Sequence, residues 1–331
     1  MIKHILTASL CIITIVSHSQ NKIKVVSSAS IFQDMAKNIG GDKITSESIV
    51  PVGGDPHTYT PKPSDVELVS SADLILINGL TFEGWITELI ENSGTKAKVV
   101  LITEGIEPIK SLNYHNASDP HAWMNAQNGL KYAYNISAGL AAVDPDNALY
   151  YADNGSKYSA EIKKVDSYIK QQIATIPEAQ RILITSHDAF QYYGRAYDIT
   201  LNAIMGISTE SEAQSKDVQR VVNAIKVNKV PAVFIESTIN PKMLQQIASD
   251  TGVKIGGELY ADSIGEEDSE APTYLKMLTH NTDVIVNALT GKSIETTKID
   301  SDNTSNNVWV YVGLGAVMLL SLLLIVLKMN K

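Results

Sequence analysis

The stretch Pro51–Val66 reads PVGGDPHTYTPKPSDV and carries His57 at its centre. Gly53 and Gly54 can take backbone angles closed to other residues, while Pro56, Pro61 and Pro63 stiffen the rest of the loop, so the imidazole is held on a restrained turn. An apolar run, Ile44 to Val50, leads into the loop, and Ser64-Asp65-Val66-Glu67 after it has the capping-box pattern that opens a helix. A strand–loop–helix junction is where α/β proteins place their sites. The stretch therefore sets an expected fold class and an expected site together.

A single loop histidine is most often a surface residue, but three other stretches change its meaning. Asp119-Pro120-His121-Ala122-Trp123-Met124-Asn125 again sets a histidine behind a proline. Ile182-Leu183-Ile184-Thr185-Ser186-His187 ends an apolar strand on His187, and Gly256-Gly257-Glu258-Leu259-Tyr260-Ala261-Asp262 ends another near Asp262. Three imidazoles and a carboxylate are a sufficient donor set for a divalent transition metal.

The segments GGDPHTYTPKPSD, DPHAWMN, ITSHDAFQYYGRAYDI with STESEAQSKD after it, and GGELYADSIG closely resemble the solute-binding proteins of manganese, zinc and iron ABC importers. The resemblance covers roughly residues 22 to 295, in the same order. It implies that His57 and His121 from an amino-terminal lobe and His187 and Asp262 from a carboxy-terminal lobe ligate one transported ion, Zn2+ or Mn2+ with Fe2+ also in range. A histidine in the third position is found in relatives associated with manganese or zinc. The resemblance further implies a membrane permease with a cytoplasmic ATPase as partner, and no catalysis.

Composition agrees with a globular protein: of 331 residues 44% are apolar and 19% charged, room for two domains. The net charge of −9 and the lack of a Lys/Arg run outside the termini argue against a nucleic-acid partner. Residues 1–19 read as a secretory signal peptide, with Lys3 before an apolar core and small residues at Ser17 and Ser19. Cys11, the single cysteine, lies in that core without the small residues of a lipoprotein signal before it. Cleavage would leave no cysteine, which excludes disulfides and thiolate metal sites.

Val308–Leu327 is an uncharged apolar run followed by Lys328 and Lys331. It is expected to be a transmembrane helix with the folded part outside the cytoplasm. The expected architecture is α/β: two lobes, each a parallel sheet flanked by helices, joined by one long backbone helix, with a C-terminal transmembrane helix. In chain order these are signal peptide 1–19, amino-terminal metal-binding lobe 22–143, linking helix 144–177, carboxy-terminal metal-binding lobe 178–290, flexible linker 291–307 and transmembrane anchor 308–327. The expected product is a monomer on the periplasmic face, anchored to the plasma (inner) membrane by that helix.

Two other functions compete. A secreted zinc hydrolase would need a base beside an open metal position, as in H-E-x-x-H, which is missing; Ser186, His187 and Asp188 are consecutive and cannot converge as a triad. An adhesin or extracellular interaction protein is the other. Among the remaining histidines, His4 and His18 fall in the signal peptide, while His115 and His280 match no segment of the resemblance. Glu236 and Asp188 are candidates to orient His187, since a ligating imidazole usually donates its second N–H to a carboxylate or carbonyl.

Overall fold

The computed structural model describes residues 22–110, 118–210 and 213–291. In the first half, short apolar runs alternate with amphipathic helices: β1 (Ile23–Ser27), α1 (Ser30–Gly40), β2 (Ile44–Ser48), α2 (Pro63–Ser70), β3 (Leu74–Ile77), α3 (Ile86–Ser93), β4 (Lys98–Leu101) and α4 (Ala126–Val143). The strands form one parallel sheet in the order β2-β1-β3-β4. Parallel strands need covered faces. Val26, Ile75, Val69 and Leu89 fill one side, and α1 adds fully buried Ile31, Phe32, Met35 and Ile39, each worth about 1.5–3 kcal/mol when removed from water.

The long helix is α5 (Ala148–Ile173), whose buried stripe Tyr151, Gly155, Tyr158, Ile162, Val165, Ile169 and Ile173 steps by three or four. At 26 residues it is ~39 Å long, shorter than the expected segment 144–177 because Pro145–Asn147 form a separate 3-10 turn and the α-helix stops at Ile173. It packs on α1 and α4 of the first half and, in the second half, on the last helix of the described residues.

The second half repeats the alternation with β5 (Ile182–Thr185), α6 (Gln191–Tyr197), β6 (Thr200–Ala203), α7 (Ser215–Asn228), β7 (Ala232–Glu236), α8 (Lys242–Thr251), β8 (Lys254–Leu259) and α9 (Tyr274–Thr290). β5 pairs with β6 and β7 with β8, both parallel, and β5 runs beside β7. Ile184, Val221, Val233, Leu244 and Ile247 share its core. The helix α6 and strand β6 are absent from the sequence expectation. They span only 7 and 4 residues, too short for periodicity to show. Gly194 makes their tight turn fit, since a Cβ there would meet the Ile199 carbonyl oxygen at 2.7 Å.

Two other expectations change. Helix α2 opens at Pro63 instead of Ser64, and its cap is Asp65, which accepts the Lys62 N–H at 2.7 Å. The transmembrane part of the expected architecture is withdrawn: among the described residues no helix is long and apolar enough to cross a membrane. The run 308–327, the linker 291–307 beyond Gly291 and the signal peptide lie outside the described residues.

Candidate metal centre

His57 sits in the loop after β2 and His121 in the segment after β4, both at the carboxyl edge of their sheet. The His57 loop turns at Gly53, whose φ of 75° favours glycine, and closes with the Gly54 N–H on the Pro51 carbonyl at 3.0 Å. Asp55 Oδ1 then accepts the His57 backbone N–H at 2.9 Å, and the Trp85 indole N–H donates to the Pro56 carbonyl at 2.8 Å. Asp119 Oδ1 likewise accepts the His121 backbone N–H at 2.9 Å, but it also lies 2.8 Å from ring Nδ1. In the neutral ring that contact fixes the tautomer with a bare Nε2.

His187 follows β5, and its supports come from the neighbouring strand end. Glu236, the last residue of β7, accepts the His187 backbone N–H at 2.9 Å, and its second oxygen lies 2.6 Å from Nδ1. This second approach is close but out of line for a hydrogen bond, so it counts as an ionic contact. Asp262 follows β8.

These four side chains meet. One donor atom from each lies within 4.8 Å of all the others, and His57 is 6% exposed while the other three are fully buried. Nε2 of His57 and His121 are 3.2 Å apart; Asp262 Oδ1 is 3.2 Å from His121 Nε2 and 3.9 Å from His57 Nε2, and its Oδ2 is 3.2 Å from His187 Nε2. Neither Asp262 oxygen has an aligned hydrogen-bond donor. Ligands ~2.1 Å from a tetrahedral ion stand about 3.4 Å from one another. The spacing fits a cation at the centre.

Burial drives the His57 pKa down to about 4, with Asp262 opposing. Burial also acts to lower His121, but its Asp119 bond and the Asp262 charge outweigh this and carry it to about 9. For His187 the burial effect is overcome by Glu236 and Asp262, which hold it well above the ordinary value. Burial pushes Asp262 upward, yet the His187 and His121 imidazoles keep it well below the usual carboxylate range. Four buried groups that perturb one another this strongly mark a functional cluster.

The wall of the cluster is aromatic. The Phe82 ring stands edge-on to His57 at 5.1 Å, and Trp123 lies 5.3 Å from His121. Nothing in the sequence singles out Phe82. It is aimed by buried Glu83, whose carboxylate accepts Ser28 Oγ and the N–H groups of Asn78 and Gly79; these bonds hold a turn in which Leu80 and Thr81 take left-handed angles, costing on the order of 1 kcal/mol or more each. Asp119 is a further support that the sequence reading lacks, although the repeat of Asp-Pro-His is a signal that could have found it. Of the two candidates for orienting His187, Glu236 does so, whereas Asp188 accepts Gln191 Nε2 at 2.8 Å. His280 packs on Tyr260 away from the cluster, and His115 lies outside the described residues.

Two parallel-sheet lobes whose strand ends bring three imidazoles and a carboxylate together define a bilobal metal-binding protein. The family model ZnuA, zinc-uptake complex component A, periplasmic, matches residues 25–288, and the chain belongs to that family. It is 38% identical over 279 residues to the manganese ABC transporter substrate-binding lipoprotein PsaA of Streptococcus anginosus, covering 82% of this chain and 90% of the relative. It is also 38% identical over 267 residues to the manganese-binding lipoprotein MntA of Halalkalibacterium halodurans, covering 81% and 88%. The periplasmic zinc binding protein TroA from Treponema pallidum superposes with a TM-score of 0.77 at 33% identity, covering 81% of this chain and 99% of that one.

The family consists of substrate-binding proteins of ABC importers, not enzymes, which sets aside the zinc-hydrolase alternative. None of these names concerns adhesion. Both manganese relatives are named lipoproteins, at odds with attachment by a C-terminal transmembrane helix, and that localisation is withdrawn along with the helix.

Proposed function

We propose that this chain is an extracytoplasmic binding protein that captures a divalent manganese or zinc ion with His57, His121, His187 and Asp262. It then delivers the ion to an ABC permease driven by a cytoplasmic ATPase. The observation that carries this reading is the convergence of three Nε2 atoms on both oxygens of a fully buried carboxylate that has no other aligned partner. Around that carboxylate only imidazoles balance the charge, and a cation at the centre would bind it and all three Nε2 atoms directly. Asp262 can offer both oxygens, giving five donors, more than the four of closed zinc sites. Because intrinsic affinity favours zinc over manganese, such geometry is the available means of holding manganese.

The corresponding division of the chain is a lobe over 22–143, a linking helix within 144–177 and a second lobe over 178–290. The helix α5, packed on helices of both halves, suits small lobe movements on docking better than a wide hinge. Elemental mass spectrometry of the purified protein, followed by competition between Mn2+ and Zn2+, tests the reading. One tightly held ion per chain, absent from the His121→Ala protein, is expected. A chain that takes up neither metal defeats it.

A further inference from the structure

Asp262 belongs by sequence to the second half, yet the bonds around it come from the first. Tyr260 is still fastened to α9, its N–H and carbonyl bonded to the Asn281 amide at 2.9 and 2.7 Å. From the next residue the partners change. The Ala261 carbonyl accepts the Trp123 indole N–H at 2.9 Å. Ser263 Oγ accepts the Gly53 N–H at 2.8 Å, lies 3.0 Å from Ser30 Oγ and donates to the Ile264 carbonyl at 2.8 Å. The Ile264 N–H donates to Ser30 Oγ at 3.3 Å. Both serines are 1% exposed, so no water competes for their hydroxyls.

Two of these partners are themselves parts of the metal loops. Gly53 turns the loop of His57, Trp123 is two residues past His121, and Ser30 opens α1. His187 differs. Its imidazole and backbone N–H are held by Glu236 on β7, and its carbonyl by Thr185 on β5. The nearest tie from its segment to the first half is Tyr192, whose hydroxyl bonds the Asp119 carbonyl and the Ile109 N–H, both at 3.0 Å.

We propose that Ser263 is a positioning residue that fastens Asp262 to the amino-terminal lobe, so that the ion is held by three residues moving with that lobe and one, His187, moving with the carboxy-terminal sheet. Opening between the halves then withdraws a single imidazole and leaves the ion on His57, His121 and Asp262, a partly emptied coordination sphere from which the permease can take it. This rests on the four-ligand assignment proposed above.

The test is a double-mutant cycle on the purified full chain, with Mn2+ as probe and free Mn2+ read by electron paramagnetic resonance, which follows weak as well as tight binding. Asp262→Ala alone must weaken Mn2+ binding. Ser263→Ala alone is expected to weaken it by about tenfold, ~1.4 kcal/mol. When added to Asp262→Ala it should weaken it by less than about twofold, because it acts only through the missing carboxylate. A merely structural hydroxyl would lower the melting temperature in both backgrounds and leave the two affinity losses additive. Full additivity, or no loss from Ser263→Ala, overturns the positioning role while leaving the ligand assignment standing. Parent-like binding by Asp262→Ala overturns both. Should Ser263→Ala not fold, Ser30→Ala replaces it in the same cycle with the same expected outcomes.

Discussion

Residues 55–57 and 119–121 are the same tripeptide, Asp-Pro-His, and the two copies agree in the backbone and differ at the ring. In each, the aspartate takes the histidine backbone N–H at 2.9 Å. In each, the proline carbonyl accepts a side-chain N–H, from Trp85 in one and Asn78 in the other. Asp119 also reaches the His121 ring, whereas the second oxygen of Asp55 accepts hydroxyls from Thr58 and Thr209. Burial acts to lower both rings; at His121 Asp119 and Asp262 outweigh it and carry the pKa up to about 9, while His57, without a carboxylate on its second nitrogen, is taken down by burial to about 4. A local motif thus fixes where an imidazole sits, and the contact to its far nitrogen fixes its proton. At neutral pH His57 is a bare donor, whereas His121 must release a proton before it can bind an ion.

The largest effect should come from removing either ring. His57→Ala and His121→Ala are each expected to lower Mn2+ or Zn2+ affinity by more than the ~10–100-fold typical of losing an outer partner, measured by competition with a chelator. The contrast between the loops sharpens one step out. Asp119→Asn should cost about 10–100-fold, since the ring loses its charged acceptor, whereas Asp55→Asn, which touches only backbone and hydroxyls, should cost less than about tenfold. Equal losses would mean that loop shape, and not the ring contact, makes the difference.

How far this could be read from the sequence follows the same division between local and distant contacts. The Asp-Pro-His loops were legible through their prolines and, at His57, its glycines, whereas the Asp55 and Asp119 contacts two residues before each histidine were not read from them. His187 was legible as a strand end, but Glu236, 49 residues away, could be offered only as one of two candidates, because its role depends on β5 lying beside β7. The strap from Ala261 to Ile264 was invisible for the same reason: Ser30 and Gly53 lie more than 200 residues from Ser263. The alternation of strands and helices gave the two lobes, while α6 and β6 were too short to register. The apolar run at 308–327 satisfied a length rule, but it lies outside the described residues and both manganese relatives are named lipoproteins.

Acidity offers a third, smaller contrast between the loops. Because the ion displaces the protons of His121 and His187, both held above the ordinary imidazole value, apparent affinity should climb with pH toward about 9, by up to one decade per pH unit for each proton released. Asp119→Asn should flatten that climb in a chelator-competition series from pH 6 to 9, and Asp55→Asn should not. Stability of the metal-free protein carries the opposite sign at the two rings. His121, raised from 6.5 to about 9, contributes stability that is complete below about 6.5 and lost as pH rises through 9. His57, lowered from 6.5 to about 4, makes the unfolded chain the better proton acceptor, so its contribution is lost as pH falls from about 6.5 to 4. The melting temperature of the parent should therefore fall relative to that of His57→Gln as pH drops from about 6.5 to 4.

The smallest expected effect lies at the proline carbonyls, where the two loops agree. Trp85→Phe keeps a ring to pack on Tyr59, 5.3 Å away, but removes the donor to the Pro56 carbonyl. Losing one such bond should cost about 0.5–1.5 kcal/mol in urea unfolding of the metal-free protein, and less than about fivefold in Mn2+ affinity, because neither Asp55 nor the imidazole is touched. Asn78→Ala removes the matching bond at Pro120 and should cost more, since Asn78 is fully buried and its Oδ1 also accepts the Tyr132 hydroxyl at 2.6 Å. If Trp85→Phe weakened the ion as much as Asp119→Asn does, the backbone frame of the His57 loop would be setting affinity, and the distinction between holding a histidine's backbone and holding its ring would fail.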